Sequence, residues 1–427
     1  MSSDEKFDAI VIGAGPAGSA CAYVLAREGR SVLVVERGGS VGSKNVTGGR
    51  LYTYALEMVE PDLYKRAPLQ RKVVREQIMM LGSTNAMTVD YVDYDYGGEV
   101  PQSYSVLRAA FDEWFAGEAE AQGAMMATGI LVDELIEENG KIVGIKAGED
   151  EMYAEVVIAA DGVNSFIAQK AGLRPDITAN LVGVGVKEII ELPDNLIEAR
   201  FNLNQDEGAA RVAIGCTEGI SGGAFLYTNR GSLSLGIVFN PEQAAQNGKR
   251  IQEIMQDFKM HPAIAPLISG GTTVEYAAHL VPELGLSGMP KVLYRDGLVI
   301  IGDAAGFGIN TGLIIRGMDL AIVSGVAAAR AVIKATEASA VGPLYMQELE
   351  NLMVMPSQRF FAGWHHIFEI NRLFAAYPQM VNEMMNFMFT VNGSVPEKIP
   401  RALYSIIKKY VSMGQLAADG WKGFKSI

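Results

Sequence analysis

Three glycines in GAGPAG, Gly13, Gly15 and Gly18, follow an apolar run over residues 9–12 and precede a helical pattern. Their spacing suits phosphate binding. Gly13 permits a tight turn, Gly15 lets backbone approach a pyrophosphate, and Gly18 allows a helix to pack closely on a strand. Pro16 stands where a first helical turn tolerates it, and Gly29 ends the helix. Glu36 closes the next apolar run, where a carboxylate can accept hydrogen bonds from an adenosine ribose. With both strands, the helix and the acidic end present, residues 7–37 read as a dinucleotide-binding unit; a glycine turn without ligand is the plainer alternative.

Two later stretches, VVIAADGVNS (156–165) and GLVIIGDAAG (297–306), each end an apolar strand pattern with a carboxylate, at Asp161-Gly162 and Gly302-Asp303. Ligands bind at such carboxyl ends of strands in open α/β sheets, although Asp-Gly pairs are also ordinary turn chemistry. GSKNVTGGR (42–50) combines Gly, Lys, Thr and Arg, but its Lys precedes the glycine pair and no strand–loop–helix context surrounds it, so it is not a mononucleotide loop. Histidines are few: His261, His279, and the adjacent pair His365-His366, expected to point apart on a helix. None has metal-ligand or triad spacing. We assign no metal, no hydrolytic chemistry and no catalytic side chain, and read His279 as structural or as a lone group near a domain junction.

Composition bounds the remaining options. At 427 residues and 49% hydrophobic content the chain can bury a large core, in two or three domains. A formal charge of −13 argues against nucleic acid as a partner. Cys21 and Cys216 are the only cysteines, whereas an iron–sulfur cluster calls for about four. The first residues lack a signal peptide's basic start and cleavable apolar core, and no uncharged apolar stretch reaches about 18 residues. The expectation is a cytoplasmic protein, soluble or peripheral on the membrane face.

The order of motifs, GxGxxG, then YSVLRAAFDEWF (104–115), then DG, then GD, resembles the glutathione-reductase-type flavoproteins of the p-hydroxybenzoate hydroxylase branch. That resemblance implies FAD, with Glu36 on the adenosine ribose, Arg108 beside the ribityl and pyrophosphate portion, and Asp303 on the ribityl hydroxyls. Downstream, VGVGVKEIIELP (182–193), GGAFLYTNRGSLSLGIVF (222–239), DFKMHPAIAPLISGGTTVEYAAHLVPE (257–283) and GMPKV (288–292) are similar to electron-transfer flavoprotein–ubiquinone oxidoreductase. VTGGRLY (46–52) and SYSVLR (103–108) extend the likeness to the FixC-type subunits of that group over essentially the whole chain. A departure matters: no cysteine follows Cys216, so the cluster domain of the quinone oxidoreductase is missing, as in FixC-type subunits, whose ferredoxin-like partner supplies the cluster.

The expected fold is α/β (α+β overall): a glutathione-reductase-type FAD-binding Rossmann domain with an inserted antiparallel β-domain and a C-terminal helical region. The FAD domain is assigned to 1–65, 104–180 and 276–335, the β-rich domain to 66–103 and 181–275, and the helical region to 336–427. ILVDELIEENGKIVGIK predicts a hairpin turning at Asn139-Gly140. In SLSLGIVF, Leu233, Leu235, Ile237 and Phe239 share one face. GGAFLY is either a strand open to close approach or a bulge, with Phe225 and Tyr227 lining an acceptor pocket in the first case. Met380, Met384 and Met388 form a helical stripe, read as core or as a soft surface for quinone, lipid or a partner. Leu403, Ile406, Ile407, Tyr410 and Val411 fall at helical spacing, with Lys408 and Lys409 facing away. Six basic residues against two acidic ones in 397–427 make a cationic tail, solvated or approaching anionic lipid.

A flavin brings its own redox chemistry, so the protein has to place backbone and dipoles around it. In GDAAGFGINTGLIIRG a helix is expected to start near Thr311 or Gly312, directing the N–H groups of Gly312 and Leu313 at the flavin. Lys44, Gly48, Gly49 and Arg50 are expected beside the ring, where a Cβ on either glycine could obstruct it. Pro16, Ala17, Arg37 and Val132 complete the candidate cofactor-binding set. The resemblance implies a relay in which FAD takes electrons from the alpha- and beta-type subunits of an electron-transfer flavoprotein and passes them to quinone, with a ferredoxin-like iron–sulfur subunit and peripheral membrane contact. Alternatives are a geranylgeranyl-reductase-like enzyme acting on isoprenoid double bonds, an NAD(P)H-dependent aromatic hydroxylase, and a flavin-bearing scaffold.

Overall fold

The computed structural model describes residues 6–43, 48–175, 178–179, 182–282 and 285–427. The apolar runs identified above form a sheet whose strands lie in the order Tyr294–Arg295, Leu298–Ile300, Asp150–Ala159, Lys6–Ile12, Val32–Glu36, Met125–Thr128. Its centre is parallel: Lys6–Ile12 pairs with both Asp150–Ala159 and Val32–Glu36. Parallel strands are covered on both faces, which is why Ala9 to Ile12 and Val156 to Ala159 are apolar without alternation and buried. The hairpin expected from Asn139-Gly140 is present, Glu134–Glu138 against Lys141–Ala147, with both turn residues at positive φ as a two-residue turn requires.

Three helices cover this sheet: Pro16–Arg27, Arg108–Ala121 and Met318–Lys334. The first and third touch backbone to backbone. A Cβ at Gly18 would overlap the carbonyl of Gly13, and one at Gly325 would overlap the carbonyl of Ala17. The role expected for Gly18 is thus met, while Gly325 supplies the matching gap on the other helix.

A second sheet of nine strands runs Thr272–Pro282, Val182–Glu191, Ser232–Phe239, Gly222–Thr228, Glu207–Ile214, Leu69–Leu81, Ser103–Leu107, Gly48–Tyr52, with Ala86–Val92 beside Leu69–Leu81. It is antiparallel except where Glu207–Ile214 meets Leu69–Leu81. The sheet therefore reaches beyond 66–103 and 181–275, taking in Gly48–Tyr52 and the whole of Thr272–Pro282. Leu233, Leu235, Ile237 and Phe239 are fully buried on one face, against Ile254, Met255 and Phe258 of the helix Ile251–Met260. Gly222–Thr228 pairs on both sides without a register shift, so it is a strand and not a bulge.

The C-terminal region is helical, with Ala376–Phe389, Ile399–Tyr410 and Met413–Ser426. Met380, Ile406 and Val411 form a small core joined by Met384, whereas Met388 is exposed. Half of the basic tail is ion-paired: Lys409 with Glu383, Lys422 with Glu369, Arg401 with Glu397.

Two expectations need correction. The helix expected near Thr311 begins at Met318; Ile309–Asn310 and Ile315–Arg316 instead form a hairpin. Gly312 takes φ +78°, which a helix cannot continue, and Asn310 Oδ1 accepts its N–H at 2.8 Å. Thr311 Oγ1 accepts the N–H of Leu313 at 3.3 Å. The two N–H groups are thus committed within their own turn. His365 and His366 do not point apart: in the tight turn Trp364–Ile367 their ring centroids are 3.9 Å apart. Each ring is held by a local bond, His365 Nδ1 to the Ala362 carbonyl and His366 Nδ1 to Glu369.

The contact at Gly325 is testable. Gly325→Ala would force the two helices apart and is expected to cost about 1–3 kcal/mol, read as a lower urea midpoint; an unchanged midpoint would show that the contact is slack.

Candidate cofactor site

A cavity of about 720 Å³ lies between the two sheets, within the size range of ligand pockets. Of the expected residues, Gly13, Gly15, Pro16, Ala17, Glu36, Arg37, Gly48, Gly49, Arg50, Arg108, Val132, Asp161, Gly162 and Asp303 all line it. Gly18 and Gly302 stand behind the wall as packing positions. Gly302 takes φ +62° and gives its N–H to Ser324 Oγ at 2.9 Å. Gly312 and Leu313 are not in the lining, as the hairpin requires, and Lys44 lies outside the described residues.

One end of the wall is formed by the glycine turn, the start of the helix Pro16–Arg27 and Glu36. Gly13 sits at φ +104°, where a Cβ would strike the Ala160 carbonyl. A Cβ at Gly15 would meet no atom within 4 Å, so the turn leaves open space over the start of the helix Pro16–Arg27. That helix end presents free N–H groups and the positive end of a dipole. Glu36 Oε1 accepts from the Gly38 N–H at 2.7 Å and Oε2 from the Ala14 N–H at 3.1 Å. These bonds fix the carboxylate beside the glycine turn. Asp161 gives one oxygen to the Ile167 N–H at 3.0 Å, and its other oxygen is buried without a partner among the described residues. Burial holds this carboxyl above the usual range. An open cradle and an orphaned acceptor on the same wall are what a polar cofactor would complete.

Mid-cavity, Arg108 opens its helix and is held by Asp112 through two bonds of 2.9 Å. Asp112 is fully buried, so the guanidinium is fixed toward the cavity. Asp303 faces it; burial raises this carboxyl, and Arg108, Lys187 and Arg174 oppose the rise. Lys187, on Val182–Glu191, is pushed down to about 8 by burial, with Arg108 adding. Its Nζ lies 5.7 Å from the Phe225 ring, which reaches across because Gly236 has no side chain to block it.

The far end is aromatic and cationic. Phe225 and Tyr227 stack at 5.1 Å. Arg50 and Arg316 approach the Tyr52 ring at 4.9 and 6.0 Å. Arg50 pairs with Glu76 at 2.5 Å and donates to Ser103 at 2.9 Å. Arg316 pairs with the buried Asp319 at 2.7 Å and with the Tyr54 hydroxyl at 2.7 Å. Of the glycine pair, only Gly48 excludes a Cβ, through Ser234; at Gly49 a Cβ would make ordinary contact with Met318 and Val106. Lys187 and Arg316 were not singled out in the sequence. A lysine inside the apolar run VGVGVKEII was the available signal for the first; nothing local marked the second.

Residues 8–173 match the FAD dependent oxidoreductase family model, and residues 364–427 match the ETF-QO/FixC family C-terminal domain. Over 425 residues, 99% of each chain, the sequence is 45% identical to protein FixC of Salmonella typhi. The chain belongs to the FixC family. Protein FixC of Escherichia coli K12 is 44% identical over 99% of both chains, and a probable electron transfer flavoprotein-quinone oxidoreductase of the same organism is 46% identical at the same coverage. A geranylgeranyl bacteriochlorophyll reductase-like protein of Thermoplasma acidophilum shares the fold, with TM-score 0.69 and 21% identity over 95% of this chain and 96% of that one. As a FixC-family member the chain is an FAD-dependent oxidoreductase, and the cavity walls fit that cofactor. Bound FAD supplies the redox chemistry; the residues around it bind, orient and set the local charge.

Two outcomes follow. Glu36→Ala removes the carboxylate and both backbone bonds, and is expected to weaken FAD binding at least tenfold, about 1.4 kcal/mol, in a flavin-fluorescence titration of apoprotein. His279, also in the lining, is pulled from 6.5 down to about 3 by burial, with Lys187 and Arg108 adding. Its folded-state value is depressed, so its contribution to stability is whole above 6.5 and is lost as pH falls toward 3, where the unfolded chain takes the proton first. His279→Leu should flatten the fall in urea midpoint of apoprotein between pH 7 and pH 5; an unchanged slope would assign that fall to other groups.

Proposed function

We propose that this chain relays electrons from an electron-transfer flavoprotein heterodimer, through FAD, to a quinone. The observation that carries the reading is similarity along the whole chain, at 44–46% identity, to FixC proteins and to a probable electron transfer flavoprotein-quinone oxidoreductase. The cavity is compatible with it. Its nucleotide end holds backbone donors and Glu36, while its far end offers the stacked Phe225 and Tyr227 with Arg50 and Arg316, a flat apolar slot edged by cations. An aromatic slot suits a planar ring, and cations favour the negative charge that a carbonyl gains on reduction.

The further partners belong to the same proposal. With Cys21 buried and Cys216 its only companion, an iron–sulfur cluster in the relay belongs to a separate ferredoxin-like subunit. Among the described residues no helix is long and apolar enough to cross a membrane. Phe389 is 80% exposed, and Val391 and Val395 are each 95% exposed, close in sequence to Lys398 and Arg401. Apolar side chains beside cations favour a peripheral contact with an anionic bilayer, which would bring a lipid-soluble quinone within reach.

The test uses the purified holoprotein under anaerobic conditions, following flavin absorbance. The relay reading expects rapid reduction by a reduced electron-transfer flavoprotein and reoxidation by a quinone analogue. Rapid reduction by NADPH, with none by the electron-transfer flavoprotein, would replace the relay with a hydroxylase-like enzyme.

A further inference from the structure

Arg50, Arg108, Lys187 and Arg316 line the cofactor cavity, and three of the four are already paired. Arg50 pairs with Glu76, Arg108 with Asp112 and Arg316 with Asp319. Arg37, also in the lining, is exposed beside Glu36. Lys187 is different. Among the described residues it has no ion pair and donates no hydrogen bond; its ammonium meets the Phe225 ring, 5.7 Å from Nζ.

The sheet makes room for this lysine. Lys187 pairs across the strands with Gly236, which in turn pairs with Phe225, so the three lie in one row. The Phe225 ring fills the place of the Cβ that Gly236 lacks. At Gly185 a Cβ would stand 3.5 Å from Lys187 Cε, so the lysine stem lies back across a second glycine. The charged and titratable groups acting on the ammonium come from other elements: Arg108 from its helix, Asp303 from the turn Gly302–Ala305, and His279 from the neighbouring strand Thr272–Pro282. Ser232–Phe239, on the other side, brings no charge, and burial keeps the Tyr227 phenol far above its usual range and therefore neutral. Burial pulls Lys187 down to about 8, Arg108 adds to the fall and Asp303 opposes it. At pH 7 the group is still a cation, and a buried cation without a partner is costly until an anion shares its space.

We propose that Lys187 is the counter-charge for the negative charge that FAD acquires on reduction, and that it thereby raises the reduction potential of the bound cofactor. Near neutral pH, two-electron reduction of a flavin takes one proton from solvent to a ring nitrogen and leaves one negative charge on the ring system; Lys187 keeps its own proton. An ammonium with no carboxylate partner gains the full attraction of that charge, whereas the partner of a paired guanidinium repels it. The inference rests on FAD in this cavity and not on which donor or acceptor the relay uses.

The test is a dye-equilibrated redox titration of holoprotein reduced with dithionite, so no protein donor enters. Lys187→Met, unbranched and neutral, is expected to lower the midpoint potential at pH 7 by about 30 mV or more, a tenfold weaker preference for reduced FAD in a two-electron couple. Lys187→Arg should stay near the wild-type value. Below about 8 both redox states of the wild type hold the ammonium and the gap to Lys187→Met is whole. Above it the oxidised state has lost the proton first, and the gap should close as the reduced state loses it too; Lys187→Arg should show no such convergence. An unchanged potential in Lys187→Met would overturn the proposal. Weaker binding of oxidised FAD with an unchanged potential would do the same, by placing Lys187 on the phosphates. Loss of flavin from the variants would make the residue a folding or binding element, and the proposal would fail on that result as well.

Discussion

The structure depends on one steric constraint: backbone must touch backbone where the glycine turn meets its helix and that helix meets Met318–Lys334. Gly18 and Gly325 have no side chain because the carbonyls of Gly13 and Ala17 fill the space. This contact sets the start of Pro16–Arg27 at the carboxyl end of the central strand Lys6–Ile12, where its N–H groups face the cavity. It also anchors the long helix whose first residues, with Arg316 and Met318, form the opposite wall. A displacement there would move both ends of the cofactor site together.

On that frame, charge is distributed in a graded way. Glu36 and Asp161 sit at the glycine-turn end, Arg108 and Asp303 at the centre, and Arg50, Arg316 and the Phe225–Tyr227 stack at the far end. Each cation is steadied by a carboxylate that is itself partly or wholly buried, as in Arg108–Asp112 and Arg316–Asp319. Long side chains that would otherwise wander are thereby held with little freedom to lose when a ligand arrives. Lys187 is the exception, because its environment lowers the charged form and only Asp303 opposes this.

What could be read from the sequence follows the range of the interactions involved. GAGPAG, Asp161-Gly162, Gly302-Asp303 and the Asn139-Gly140 hairpin are local signals, in which a turn and its flanking strands specify one geometry, and all formed as expected. Thr311–Ile314 departs from the expected helix start because the Asn310 and Thr311 side chains capture the N–H groups that a helix would need, and the glycines and isoleucines of GINTGLIIRG favour a helix little. The membership of Gly48–Tyr52 in the second sheet depends on pairing with Ser103–Leu107, some fifty residues away, and no short pattern encodes such a register. The same holds for Arg316, whose place at the cavity is set by Asp319 and by Tyr54 from a distant segment.

The central claim is that one FAD spans the cavity between the two sheets, nucleotide end at the glycine turn and redox ring at the aromatic end. A crystal structure of the protein purified with its flavin tests this most directly. The account predicts pyrophosphate over Gly15 and Pro16, ribose on Glu36, and the ring between Gly48–Arg50 and the side of the cavity bearing Lys187. A flavin bound in the reverse direction, or outside this cavity, would contradict it.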